Sequence, residues 1–202
     1  MDKYTEKKRR NQVFQNFIER HVGENQMALV KECNTFLSFV TDKSLEKQKL
    51  YKANSCKNRF CPVCAWRKAR KDALSLSLMM QHVKQAHEKE FIFLTLTTPN
   101  VSKNELENEI KHYNQSFRRL SNRTKFKKVV KGYVRKLEIT YNKERDDYNP
   151  HFHVLIAVNK SYFTDKNYYI NQKEWLNLWR DVTGIEEITQ VHVQRVKANN
   201  NK

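Results

Sequence analysis

From Phe91 onward the chain alternates between two hydrophobic periods in a fixed order, and that order leaves few folds open. FIFLTLTT (91–98) is β-branched and aromatic, ends at Pro99-Asn100, and reads as a strand. Ser102 then offers a helix N-cap, with Glu105 as its capping-box partner. Leu106, Ile110, Tyr113, Phe117 and Leu120 follow at steps of three and four, which makes one buried helical face. Gly132 to Asn142 and His151 to Val158 read as two strands joined by the polar turn Lys143 to Pro150, and so pair antiparallel. Asn171 caps a second helix carrying Trp175, Leu178, Trp179 and Val182, which stops at Gly184. Thr189 to Val196 is the last strand. The order β-α-β-β-α-β predicts an α+β fold of the ferredoxin-like kind. It is a four-stranded antiparallel sheet with both helices on one face, the other face open and the third strand central.

The N-terminal part has a different pattern. Residues 4–22 read as a helix with Val13, Phe14, Phe17 and Ile18 on one stripe. Asn34 to Thr41 and Gln48 to Ser55 read as a hairpin turning at Asp42-Lys43-Ser44, and Ala65 to Ala86, free of Gly and Pro, as one long helix. The expected organisation is an N-terminal element over 1–88, a core over 89–198 and a polar tail at 199–202. Cys33 precedes the hairpin and Cys56 follows it, so pairing of the strands brings the two together; Cys61-Pro62-Val63-Cys64 is a knuckle before the long helix. Four thiolates can thus converge on one tetrahedral Zn²⁺. Unliganded or redox thiols and disulfides are the competing accounts, and an intracellular setting argues against disulfides.

Strand side chains alternate faces, so His151 and His153 share one face while Phe152, Val154 and Ile156 point toward the helices. Neutral imidazole is a common transition-metal ligand, and two on adjacent same-face positions can chelate one ion if a neighbour supplies a third group. In the hairpin partner, Leu137 and Ile139 are core-facing, which turns Glu138 to the side of the histidines. Such mixed nitrogen and oxygen donors suit Mn²⁺ or Mg²⁺ polarising a phosphate better than a closed zinc site. The competing account makes the pair ordinary hydrogen-bonded strand residues and Glu138 a solvated acid.

Charge points to the partner. Thirty-nine Lys and Arg against 22 Asp and Glu give a net charge of +17, which a polyanion offsets. Lys57, Arg59, Arg67, Lys68, Arg70 and Lys71 surround the cysteine knuckle and form a candidate DNA-binding surface. The longest apolar runs, such as Val154 to Val158, are five residues long. A membrane helix needs roughly 20, so no membrane partner is expected. No apolar segment follows the basic start at Met1, so no secretory signal is read and the expected location is the cytoplasm.

Taken in series, CKNRFCPVCAWRKARK (56–71), FIFLTLTTPN (91–100) and NPHFHVLIAVN (149–159) resemble the replication initiator (Rep) proteins of small rolling-circle plasmids from Gram-positive bacteria, which are HUH endonucleases. The resemblance implies a sequence-specific nick at the plasmid's double-strand origin, in single-stranded or hairpin DNA, with host helicase and polymerase following. It gives His151 and His153, with Glu138, the role of holding the divalent ion. A tyrosine then attacks phosphorus and becomes joined to the 5′ phosphate. In the family that tyrosine lies on a helix after the final strand, near a lysine, and the matching segment is expected beyond residue 202. Tyr133-Val134-Arg135-Lys136 has the spelling but lies in a strand and reads as structural, while Tyr162, Tyr168 and Tyr169 are alternative candidates. The alternative function is a DNA-binding protein or regulator that occupies the origin without nicking.

Overall fold

The computed structural model describes residues 3–197, and the polar tail expected at 199–202 lies outside the described residues. The chain divides into two compact units, Met1–Met80 and Gln81–Lys202. In the first, α1 (Lys3–Ile18) and α2 (Glu24–Lys31) precede a hairpin of β1 (Leu37–Thr41) and β2 (Gln48–Ala53). Next comes α3 (Pro62–His87), which runs across the division. Pro62 starts α3 because its fixed φ fits the first helical turn and its missing N–H is not needed there.

The stripe expected on α1 packs inward at Phe14 and Ile18 and is corrected at its other two positions. Val13 and Phe17 are 55% and 71% exposed, and the packed residues are Tyr4, Asn11, Phe14 and Ile18. Asn11 is drawn in because its Nδ2 donates to the Val30 carbonyl of α2, a helix that the reading of 4–22 did not contain. Met27, Val30 and Val63 complete this small core together with the cysteines.

The second unit holds β3 (Lys89–Thr97), α4 (Leu106–Asn122), α5 (Thr124–Val129), β4 (Val130–Asn142), β5 (Asp147–Asn159), α6 (Ser161–Thr164), α7 (Gln172–Thr183) and β6 (Val191–Arg195). Its antiparallel sheet runs β4-β5-β3-β6, so the histidine strand is central. Period-two alternation buries Phe152, Val154, Ile156 and Val158 of β5 with Ile92, Leu94 and Leu96 of β3 against Tyr113, Phe117 and Leu120 of α4 and Trp175 and Trp179 of α7. The Phe152 ring meets Tyr113 edge-on at 5.3 Å and Phe117 at 5.4 Å. Burial of such a ring contributes about 1.5–3 kcal/mol.

Two ends differ from expectation. Glu105 reaches back to the Ser102 amide and hydroxyl, but Ser102 makes only a turn and α4 begins at Leu106. The β4–β5 connection is tighter than Lys143 to Pro150. Asn142 Oδ1 accepts from the Glu144 and Arg145 amides, Asp146 adopts φ +52, and the strands continue to the turn. At α7 the reading holds: Asn171 and Glu174 form the capping box and Gly184, at φ +73, closes the helix.

Candidate functional site

In the sheet, Glu138 pairs directly with His151 and Lys136 with His153. One nitrogen of each imidazole and a carboxylate oxygen of Glu138 all lie within 4.8 Å of one another, and His153 Nε2 is 3.6 Å from Glu138 Oε2. The rings stand 4.8 Å apart at 83°. Their orientation is fixed from behind. His151 Nδ1 lies 3.2 Å from the Asn149 carbonyl, which can only accept, so Nδ1 is the donor in this contact and Nε2 is the nitrogen left for another partner. His153 Nδ1 is 3.2 Å from Thr95 Oγ1, and Phe93 stacks on the ring at 5.3 Å. Burial, then His151, hold the His153 pKa below its ordinary value, against the pull of Glu138, which favours the neutral ring. All three side chains remain partly exposed.

The helices behind the sheet position this site. Tyr113 of α4 donates to the Pro150 carbonyl, one residue before His151, and Trp179 of α7 donates to the carbonyl of Thr97, the residue paired with His151. Asn149, Thr95 and Phe93 were not singled out by the sequence reading. The alternation of FIFLTLTT could have placed Phe93 and Thr95 on the histidine face, but pairing of β3 with β5 was needed to set them beside His153. The same pairing sets His192 of β6 opposite Thr95, on the row of His153.

The tyrosines weighed as nucleophiles are held elsewhere. Tyr133 lies on the helix side, its ring packed on Phe117 and Phe126. Tyr162 is buried and donates to the Ile170 carbonyl. Tyr168 lies under the Lys128 ammonium, and Tyr169 packs on Tyr162.

The four cysteines also converge. Cys33 Sγ is 3.5 Å from Cys64 and 3.7 Å from Cys61, and Cys56 is 3.6 Å from Cys64. Four sulfurs around a zinc at about 2.3 Å stand about 3.8 Å apart, so the quartet fits a tetrahedral ion. Disulfides are absent among these cysteines, which are all free. Burial raises Cys56 and pushes Cys64 up to about 11. At Cys33 burial is outweighed by hydrogen bonds from the Cys56 amide, the Cys56 and Cys64 thiols and Asn34, and its pKa falls. Strand pairing makes the convergence: the Asn34 amide donates to the Asn54 carbonyl, closing the hairpin beside Cys33 and Cys56.

Of the basic residues around this quartet, Lys57, Arg59 and Lys71 are exposed. Lys68 is paired with Asp72 at 2.7 Å, and Arg67 donates to Asn34 Oδ1 and Ser55 Oγ. Arg70 stacks over Trp66.

The chain is thus a strongly basic α+β protein with two separate groups that could hold a metal ion, one of thiols and one of a carboxylate with two imidazoles. The chain belongs to the Rep_1 family, described as "Replication protein", which matches residues 47–202, and the resemblance to replication proteins of Gram-positive rolling-circle plasmids holds. It is 80% identical over 202 residues to "Protein rep" of Staphylococcus aureus, covering 88% of that protein. It is 44% identical over 165 residues to "Protein rep" of a Bacillus species and 37% identical over 185 residues to that of Streptococcus pneumoniae. These alignments take in 82% and 90% of this chain but 53% and 57% of the relatives, so the chain spans little more than half the length of those two. No solved structure matches it.

Proposed function

We propose that this chain acts at a plasmid origin, binding single-stranded or hairpin DNA on the histidine face of its sheet and nicking one strand to start rolling-circle replication. The observation that carries the reading is the triad itself: Glu138, His151 and His153 converge within 4.8 Å while Asn149 and Thr95 hold the imidazoles from behind. Mixed nitrogen and oxygen donors with partial exposure fit Mn²⁺ or Mg²⁺, which when bound stabilises charge developing on a phosphate. Glu138 and the two imidazoles hold and orient that ion, and Lys136, beside Glu138, adds a positive charge toward the DNA backbone. In this reading a tyrosine hydroxyl attacks phosphorus and becomes joined to the 5′ phosphate as the bond to the 3′ oxygen breaks, and that oxygen takes up the released proton and leaves as the 3′ hydroxyl primer end.

The strand order β4-β5-β3-β6, with α4 and α7 on one face, supports reading residues 89–198 as a ferredoxin-like βαββαβ nuclease core. The thiol quartet supports a structural Zn²⁺ in the N-terminal unit, among Lys57, Arg59, Arg67, Lys68, Arg70 and Lys71 as DNA contacts. No described helix is long and apolar enough to cross a membrane, and we place the protein in the cytoplasm, where host helicase and polymerase take over the nicked origin.

A second reading, origin occupancy without nicking, is favoured by the placement of Tyr133, Tyr162 and Tyr168 away from the triad. Incubation with 5′-labelled and 3′-labelled origin single strands and Mn²⁺ separates the two. Nicking leaves protein joined to a 5′ phosphate, and His151→Ala with His153→Ala abolishes it while cysteine-bound metal stays. A salt-sensitive shift with no covalent product supports occupancy instead. Nicking by the double variant would remove the triad from the mechanism.

A further inference from the structure

The first unit contains a groove that neither the metal chemistry nor the fold of its core requires. The β1–β2 hairpin sets Leu37 and Phe39 on one face, paired with Ala53 and Leu50. Helix α3 supplies Trp66, Arg67 and Arg70 to the same space, and together they line a groove of about 500 Å³, within the size range of small-ligand sites. Phe39 is 50% exposed and Trp66 half-buried, so ring surface is presented to an incoming group.

The guanidinium groups are pre-positioned. Arg70 lies over the Trp66 ring at 5.4 Å, and Arg67 is held by Asn34 Oδ1 at 2.9 Å and Ser55 Oγ at 2.8 Å. Neither is ion-paired with a carboxylate among the described residues. From Cys33 to Lys71 the chain carries ten Lys or Arg against two acids, Asp42 and Glu46, so the surroundings favour an anionic occupant. An acyl chain would not call for two fixed cations, and a phosphate alone would not call for rings. An unpaired nucleotide supplies a flat π face and a phosphate together, whereas in a duplex the base faces are already stacked.

We propose that this groove binds one unpaired base of single-stranded DNA, stacked against Trp66 and Phe39 with its phosphate on Arg67 and Arg70. The site lies wholly in the first unit and does not depend on the nicking reading. Fluorescence reports it directly: Trp175 and Trp179 are fully buried in the second unit, which leaves Trp66 as the accessible indole.

A short oligothymidylate should quench Trp66 saturably, and its duplex with oligoadenylate, or an abasic oligomer of the same length, should bind about tenfold or more weakly. Followed by anisotropy of labelled oligomer, Trp66→Ala and Phe39→Ala should each lower affinity about 5- to 100-fold. Trp66→Phe, which keeps a ring, should recover most of it. Arg70→Ala should reduce the slope of log affinity against log salt by about one. Far-ultraviolet circular dichroism and thermal melting check that each variant is folded; should Trp66→Ala unfold, Phe39→Ala and Trp66→Phe decide. Trp66→Ala and Phe39→Ala should leave Mn²⁺ binding at Glu138, His151 and His153 unchanged, so a failure of the triad and a failure of the groove are distinguishable. Equal binding of the abasic or duplex probe, or full affinity in folded Phe39→Ala, would overturn the proposal.

Discussion

Replacing Thr95 by valine tests how the sheet holds the proposed metal triad. Thr95 sits in β3 opposite His153, and its hydroxyl lies 3.2 Å from Nδ1. Valine keeps the β-branch and the strand preference, so the sheet should lose little beyond the one hydrogen bond. A net hydrogen bond is worth about 0.5–1.5 kcal/mol, and loss of the partner that orients a metal-bound imidazole lowers affinity about 10- to 100-fold. Phe93 still stacks on the ring at 5.3 Å and 26°, so His153 is not set free. The low end applies: about tenfold weaker Mn²⁺ binding, or about 1.4 kcal/mol. Titration calorimetry of the metal-free chain with Mn²⁺ measures it, with His153→Ala as the variant that should lose far more. An unchanged affinity in Thr95→Val, with binding lost in His153→Ala, would refute the claim that Thr95 positions the ligand.

Other consequences are as direct. Phe152→Ala opens a hole between Tyr113 and Phe117 and should destabilise the second unit by about 3–5 kcal/mol in urea unfolding followed by tryptophan emission; a loss under about 1 kcal/mol would contradict the packing. Gly184→Ala meets no atom within 4 Å but must adopt φ +73, so the cost is conformational only, about 1 kcal/mol in the same assay. Since His153 titrates below its ordinary value of 6.5, the unfolded chain takes up that proton first. The stability contribution is therefore complete above pH 6.5 and declines as pH falls through 6.5 toward the folded value. Metal-free denaturation curves should show this slope and His153→Ala should flatten it; equal slopes would count against the burial. Chelation should free all four cysteines to a thiol reagent and melt the first unit, while the emission of Trp175 and Trp179 stays native. Thiols that react at the same rate before chelation would speak against a bound ion.

Periodicity alone determined that β5 turns His151 and His153 to one side and Phe152 to the other, because strand side chains alternate whatever the sheet's partners are. It likewise gave the ends of α7, where Asn171 and Gly184 act through backbone chemistry within a few residues. On α1 the apolar spacing points correctly to Phe14 and Ile18 but also to Val13 and Phe17, which are exposed, and only the position of α2 decides that Asn11 faces inward in their place. Glu138 was legible as facing the histidines, but its distance to them depends on register, which pairing along β4 and β5 sets residue by residue. Thr95 and Phe93 are separated from His153 by 58 and 60 positions, and the groove at Trp66 joins a hairpin to a helix that share no local pattern. Sequence fixes which groups a segment can present, since that is local sterics; which groups meet is a property of packing between segments, and it exists only once the chain has folded.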